Sequence, residues 1–115
     1  MPHIVIEVSQ DSLQSLLPQQ LVSVAFDSVK QTGLFNSENI KVRLHPVEFY
    51  QLGLEGSGFI HVMCRIHAGK TQSQKQQLTQ ALINAIAESL NKRWVITAEV
   101  VEMDRASYAK KVLGS

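Results

Sequence analysis

The sequence predicts an α/β (α+β) domain of order β-α-β-β-α-β, two β-α-β units sharing a four-stranded sheet with two helices on one face. Three observations predict it. Alternating, β-branched runs of strand length are interrupted by two stretches whose apolar residues recur at helical spacing. Shifting the chain by roughly half its length lays strand on strand and helix on helix, so that Leu21 falls on Leu78, Ala25 on Leu82 and Val29 on Ile86. The length of 115 residues, 44% of them hydrophobic, fits residues 1–115 as one domain with a small core, to whose stability oligomer contacts contribute.

The first strand is Ile4-Val5-Ile6-Glu7-Val8, with Ile4, Ile6 and Val8 on one face and His3, Val5 and Glu7 on the other. A mostly polar stretch, Ser9 to Ser15, leads to a helix starting near Pro18, where a missing N–H costs nothing. Leu21, Val22, Ala25, Phe26 and Val29 form its stripe, and Gly33 after Thr32 supplies the stop. A second strand, Ile40 to His45, turns Ile40, Val42 and Leu44 inward and Lys41, Arg43 and His45 outward, with Pro46 limiting its extension. Val47 to Gly58 is then a loop containing Gly53, Gly56 and Gly58, long enough to cover or line a pocket.

The third strand, Phe59 to Ile66, puts Ile60, Val62, Cys64 and Ile66 on its apolar face. Thr71-Gln72-Ser73-Gln74 reads as a capping box opening a helix whose buried stripe is Leu78, Leu82, Ala85, Ile86 and Leu90. The fourth strand spans roughly Val95 to Met103, and the tail after Asp104 is too short to assign. Each half should set two parallel strands side by side, joined by a crossing helix. The other sheet face then carries His3, Val5, Lys41, Arg43, His61 and Met63, a mixture suited to subunit packing.

The formal net charge is +1, and the tight basic groups Lys92-Arg93 and Lys110-Lys111 read as solvated surface, so nucleic acid is not an expected partner. A single cysteine, Cys64, permits no intrachain disulfide, and its place on the apolar face makes it an inert core thiol. With neither a leader nor a run of membrane-spanning length, a soluble cytoplasmic setting without membrane contact is expected. Zinc-ligand spacing is absent, and His3, His45, His61 and His67 read as structural or interface residues. Phe49, Tyr50 and Trp94 read as core or pocket wall.

Three features carry chemistry. Removal of Met1 would leave Pro2 with a free secondary amine. An ordinary α-amino group, with a pKa of roughly 7.7–8.0, is neutral in about one molecule in seven at pH 7. Burial and nearby cations lower that pKa, and a drop of about 1.5 units makes most of the population a competent base. The pyrrolidine ring also fixes the direction of the lone pair. Next, Ala68-Gly69-Lys70-Thr71 places a lysine at a helix N-terminus, where free N–H groups and the helix dipole favour a carboxylate; the spaced glycines of a P-loop are missing. Finally, Lys41 and Arg43 share one strand face, suited to binding a second carboxylate, to lowering the amine's pKa, or to an exposed or interface surface.

Over most of its length the chain resembles the 5-carboxymethyl-2-hydroxymuconate Δ-isomerases of the tautomerase superfamily. The likeness runs through Pro2-His3, Thr32-Gly33-Leu34-Phe35, the Ile40-to-His45 strand, Phe59-Ile60-His61 and Ala68-Gly69-Lys70-Thr71. The resemblance implies a tautomerase-like fold assembled as a homotrimer, no cofactor, no metal, and an N-terminal proline acting as general base and then general acid. It implies proton transfer between carbons of a small unsaturated enol or keto dicarboxylate, as in aromatic-compound breakdown. Pro2 would be catalytic, with Lys41, Arg43 and Lys70 binding the substrate, in its own or a neighbouring subunit's site. Two departures stand out: Lys41 and Lys70 replace arginines, keeping the charge but losing the two-pronged grip on a carboxylate. The tail is also shorter than is usual for the family. The alternatives are a tautomerase of phenylpyruvate-type enols, which holds one carboxylate, and a non-catalytic oligomeric binding protein on the same fold.

Overall fold

A computed structural model describes residues 1–14, 17–90 and 93–114. Ser15 of the polar stretch and Lys92 of the Lys92-Arg93 pair lie outside the described residues. The strands are β1 (His3–Ser9), β2 (Lys41–Val47), β3 (Gly58–His67) and β4 (Trp94–Met103), and the helices are α1 (Pro18–Gln31) and α2 (Gln72–Glu88). They form one sheet in the order β2-β1-β3-β4. Each half contributes a parallel pair, β1 with β2 and β3 with β4, and the halves join through antiparallel β1 and β3. The predicted pair of β-α-β units is therefore the architecture.

Alternation along the strands decides which face is covered. Ile4, Ile6 and Val8 of β1 and Ile60, Val62, Cys64 and Ile66 of β3 are buried, in one cluster with Leu21, Ala25 and Val29 of α1 and Leu78, Leu82 and Ile86 of α2. Both helices thus lie on the same face. Each large aliphatic side chain removed from water there contributes about 1.5–3 kcal/mol. Burial also pushes the Cys64 thiol up to about 12, with Glu99 adding to it, so the sulfur is an inert core group.

The helix ends follow from local chemistry. Pro18 occupies the first turn of α1, and Gly33, at φ +70°, ends it with its N–H on the Lys30 carbonyl (3.2 Å). Thr71 and Gln74 close the capping box of α2 in both directions, at 3.1 and 2.9 Å. The polar stretch after β1 is wound into a 3₁₀ turn, Gln10–Gln14.

Pro46 does not stop β2, which continues to Val47. The reason is its place in the sheet. Because the Lys41 N–H donates to the Pro2 carbonyl (3.0 Å), the N–H groups of Arg43, His45 and Val47 also face β1. Position 46 falls on the alternate, outward phase of an edge strand, where no ladder bond is lost.

Gly58 opens β3 against the ring of Trp94. A Cβ there would lie 2.6 Å from Ser12 Oγ and 2.7 Å from a Trp94 ring carbon. Gly58→Ala should cost about 1–3 kcal/mol, the range for overpacking a filled site. Denaturant unfolding checks this; an unchanged midpoint would show that Trp94 yields freely.

Candidate active site

The strand directions bring four chain segments to one edge of the sheet, meaning the end at which β1 and β2 start and β3 and β4 finish rather than an edge strand. His3 pairs with Lys41 on one side and with Arg65 on the other, and His67 pairs with Met103. Pro2, the start of β2, the turn from β3 into α2 and the tail after β4 therefore converge. Of the expected site residues, Pro2, Lys41, Arg43 and Lys70 all belong to this edge.

Pro2 is buried, and Met1 packs partly against the core. The Met1 amino group donates to the backbone carbonyl of Asn39 at 2.9 Å, and the Lys41 ammonium donates to the same oxygen at 2.9 Å. Two cationic donors on one acceptor repel each other. The chain-end amine falls from 8.0 to about 5, mainly through burial and then through the hydrogen bonding and charge of Lys41, with Lys110 adding its charge. With Met1 in place, the Pro2 nitrogen is an amide and has no basic lone pair.

Lys110 comes from the tail, where sequence reading saw solvated surface. It remains exposed, yet its ammonium donates to Asn39 Oδ1 at 2.9 Å. Asn39 thus holds one lysine on its backbone oxygen and another on its side-chain oxygen.

Arg43 is placed on His3. Its Nη1 donates to His3 Nδ1 (3.1 Å), and since a guanidinium only donates, the ring proton sits on Nε2 and is donated to Tyr108 Oη (3.0 Å). Burial and then Arg43 lower the His3 pKa, with Lys41, the chain-end amine and Arg65 acting in the same direction, which keeps the ring neutral. The Tyr108 ring stands edge-on to His3 and to His67, with centroids 5.9 and 5.0 Å away.

Lys70 is half-buried with its ammonium 5.2 Å from the centre of the Phe35 ring, a cation–π contact. The charges that act on the chain-end amine are those of Lys41 and Lys110, so Lys70 shares the edge without joining that pair. Among the described residues Lys75 forms an ion pair with Glu102 (2.9 Å), and His61 Nε2 lies 2.6 Å from the Glu99 carboxylate. Lys41, Arg43, Lys70 and Lys110 have, among the described residues, no carboxylate partner, which leaves their charge available to an anion. Among the described residues, no group of three or more His, Cys, Asp or Glu side chains is placed to hold a metal ion, and no helix is long and apolar enough to cross a membrane.

The loop after β2 does line a cleft, but at the other edge of the sheet. Tyr50, Gly56 and Ser57 face Asp11, Arg93 and Trp94 around about 230 Å³, and the Tyr50 hydroxyl donates to Asp11. The loop therefore does not cover Pro2 of its own chain. Phe49, expected in core or pocket wall, is 87% exposed.

A family model described as 5-carboxymethyl-2-hydroxymuconate isomerase matches residues 2–111. The chain belongs to that family. Membership identifies it as an isomerase, and solved structures place it on the tautomerase fold. A 5-carboxymethyl-2-hydroxymuconate delta-isomerase superposes with a TM-score of 0.84 at 18% identity, over 97% of this chain and 89% of its own. A 5-carboxymethyl-2-hydroxymuconate isomerase from Deinococcus radiodurans R1 gives 0.75 at 22% identity, over 96% and 88%. A fused 4-OT symmetric trimer gives 0.73 at 14% identity, over 95% and 93%. No curated protein matches the chain.

Sequence reasoning missed Asn39, Tyr108 and Lys110 as members of the site. Asn39 sits in a 3₁₀ turn, Ser37–Asn39, and Tyr108 and Lys110 lie beyond the last strand. None belongs to a periodic run. The available signal was an aromatic two residues before a cation in the short tail after Asp104.

Proposed function

We propose that the chain beginning at Pro2 is a cofactor-independent isomerase that moves a proton between carbons of a small unsaturated enol or keto dicarboxylate resembling 5-carboxymethyl-2-hydroxymuconate. The observation that carries this reading is the convergence of the chain-end amine and the Lys41 ammonium on one carbonyl oxygen, both at 2.9 Å. That arrangement disfavours a second positive charge and so favours a neutral, basic amine. Pro2, one residue further in and buried, would inherit the same surroundings.

The neutral Pro2 nitrogen would accept a proton from a carbon conjugated with the substrate's carbonyl, leaving a delocalised dienolate. The resulting secondary ammonium would return that proton at a different carbon, restoring the amine. Lys41, Arg43 and Lys70 would hold carboxylates and stabilise the enolate, whose charge develops in a site rich in unpaired cations. We also propose a homotrimer, supported by the trimeric fused 4-OT neighbour and by the sheet face that no helix covers, where His3, Val5 and Met63 are only half-buried.

The test joins intact mass to kinetics. Mass reports whether Met1 is gone; Pro2→Ala is then assayed beside wild type on a panel of enol acids. The substituted chain keeps a primary amine but loses the ring that aims it, and kcat/KM should drop at least about tenfold. Equal rates for the two chains would rule out a catalytic proline.

A further inference from the structure

The tail after β4 is stitched to the candidate site at three points. Arg105 Nη2 donates to the Ala68 carbonyl (3.1 Å), just before Gly69-Lys70. Tyr108 accepts from His3, whose other ring nitrogen accepts from Arg43. Lys110 reaches Asn39 Oδ1. The segment between is braced by a turn, in which the Tyr108 N–H donates to the Asp104 carbonyl (3.2 Å) and Ser107 Oγ to the Asp104 carboxylate (2.7 Å). A tail with neither strand nor helix is thus tied to each segment that carries a predicted substrate-binding cation.

What Lys110 is tied to matters more than the tie. Lys75 meets the Glu102 carboxylate, which neutralises it. Lys110 and Lys41 are instead held by the two neutral oxygens of Asn39, which fix an ammonium in place without cancelling its charge. Ordering a lysine costs up to about 2 kcal/mol of side-chain entropy, more than one exposed amide contact returns. A ligand carboxylate between the two ammonium groups would offset that cost, because charge-assisted hydrogen bonds are roughly twice as strong as neutral ones.

We propose that Lys110 is a specificity-determining residue that, with Lys41, forms a clamp hung on Asn39 for one carboxylate of a dicarboxylate ligand. This rests on the reading of the site as one for acidic substrates, and it assigns Asn39 and Tyr108 as positioning residues. Lys110 discriminates a diacid from a monoacid of the same length.

The experiment measures calorimetric affinity for adipate and hexanoate, which do not react, beside kinetics on an enol diacid. Lys110→Gln should weaken adipate about tenfold, the value of one lost charge-assisted contact, and leave hexanoate within about threefold. KM for the diacid should rise while kcat changes little, and Lys110→Arg should restore both. Asn39→Ala, which removes only the anchor of Lys110 and keeps the backbone oxygen that holds Lys41, should act in the same direction. Equal losses for adipate and hexanoate, or none, would overturn the clamp. If Pro2→Ala leaves turnover unchanged while Lys110→Gln still selectively weakens adipate, the proline reading fails and the clamp stands. If Pro2→Ala abolishes turnover while Lys110→Gln changes nothing, the proline reading stands and the clamp fails.

Discussion

Chains that begin at Pro2 should convert an enol acid about 10²–10⁴ times faster than chains that keep Met1, the range that a positioned general base supplies. Two physical effects lead there. Acylation by Met1 turns the Pro2 nitrogen into an amide whose lone pair is delocalised into the carbonyl, so it cannot accept a proton near neutral pH. Met1 also fills space beside the nitrogen, being partly packed against the core. The comparison is best made with one chain released from a fusion so that Pro2 comes first and another retaining methionine, both verified by mass.

The pH dependence of that activity has a defined sign. Burial and the charges of Lys41 and Lys110 depress the chain-end amine, and the same groups would act on a free Pro2 amine. A base with a lowered pKa is active above that pKa and is lost by protonation as pH falls through it. The acid limb of kcat/KM should therefore lie below the ordinary amino-terminal value of about 8. A limb at or above that value, or equal rates for the two chain ends, would remove Pro2 from the mechanism.

Much of the fold was legible because it rests on periodicity. Ile4, Ile6 and Val8 alternate, as do Ile60, Val62, Cys64 and Ile66, and all seven are buried on the face the helices cover. Thr71 and Gln74 announced the start of α2 because a capping box is a local device. Pro46 was misjudged because the same residue is tolerated or excluded according to which neighbour its nitrogen faces, a property of sheet order. Pro2, Lys41, Arg43 and Lys70 were candidates through residue type and position, and strand direction brings them to one edge. Lys110 was not, since its partner Asn39 lies far away in the chain and only tertiary structure joins them.

The second large effect concerns the support of that edge. Leu82 is fully buried near the middle of α2, in the cluster that joins both helices to β1 and β3. Leu82→Ala should cost about 2–5 kcal/mol, from lost transfer free energy and the cavity left behind. A domain of this size should then lose on the order of 10 °C in Tm. Val112, 66% exposed in the tail, is the contrast, and its truncation should stay within about 0.5 kcal/mol. The tail gains its order from Arg105, Tyr108 and Lys110, which make polar contacts with a sheet edge already built by the core. Val112→Ala matching Leu82→Ala in denaturant unfolding would reverse that order of dependence and make the tail part of what holds the helices down. A smaller loss at Val112 leaves the tail as a segment placed by the core, free to vary its cations while the fold persists.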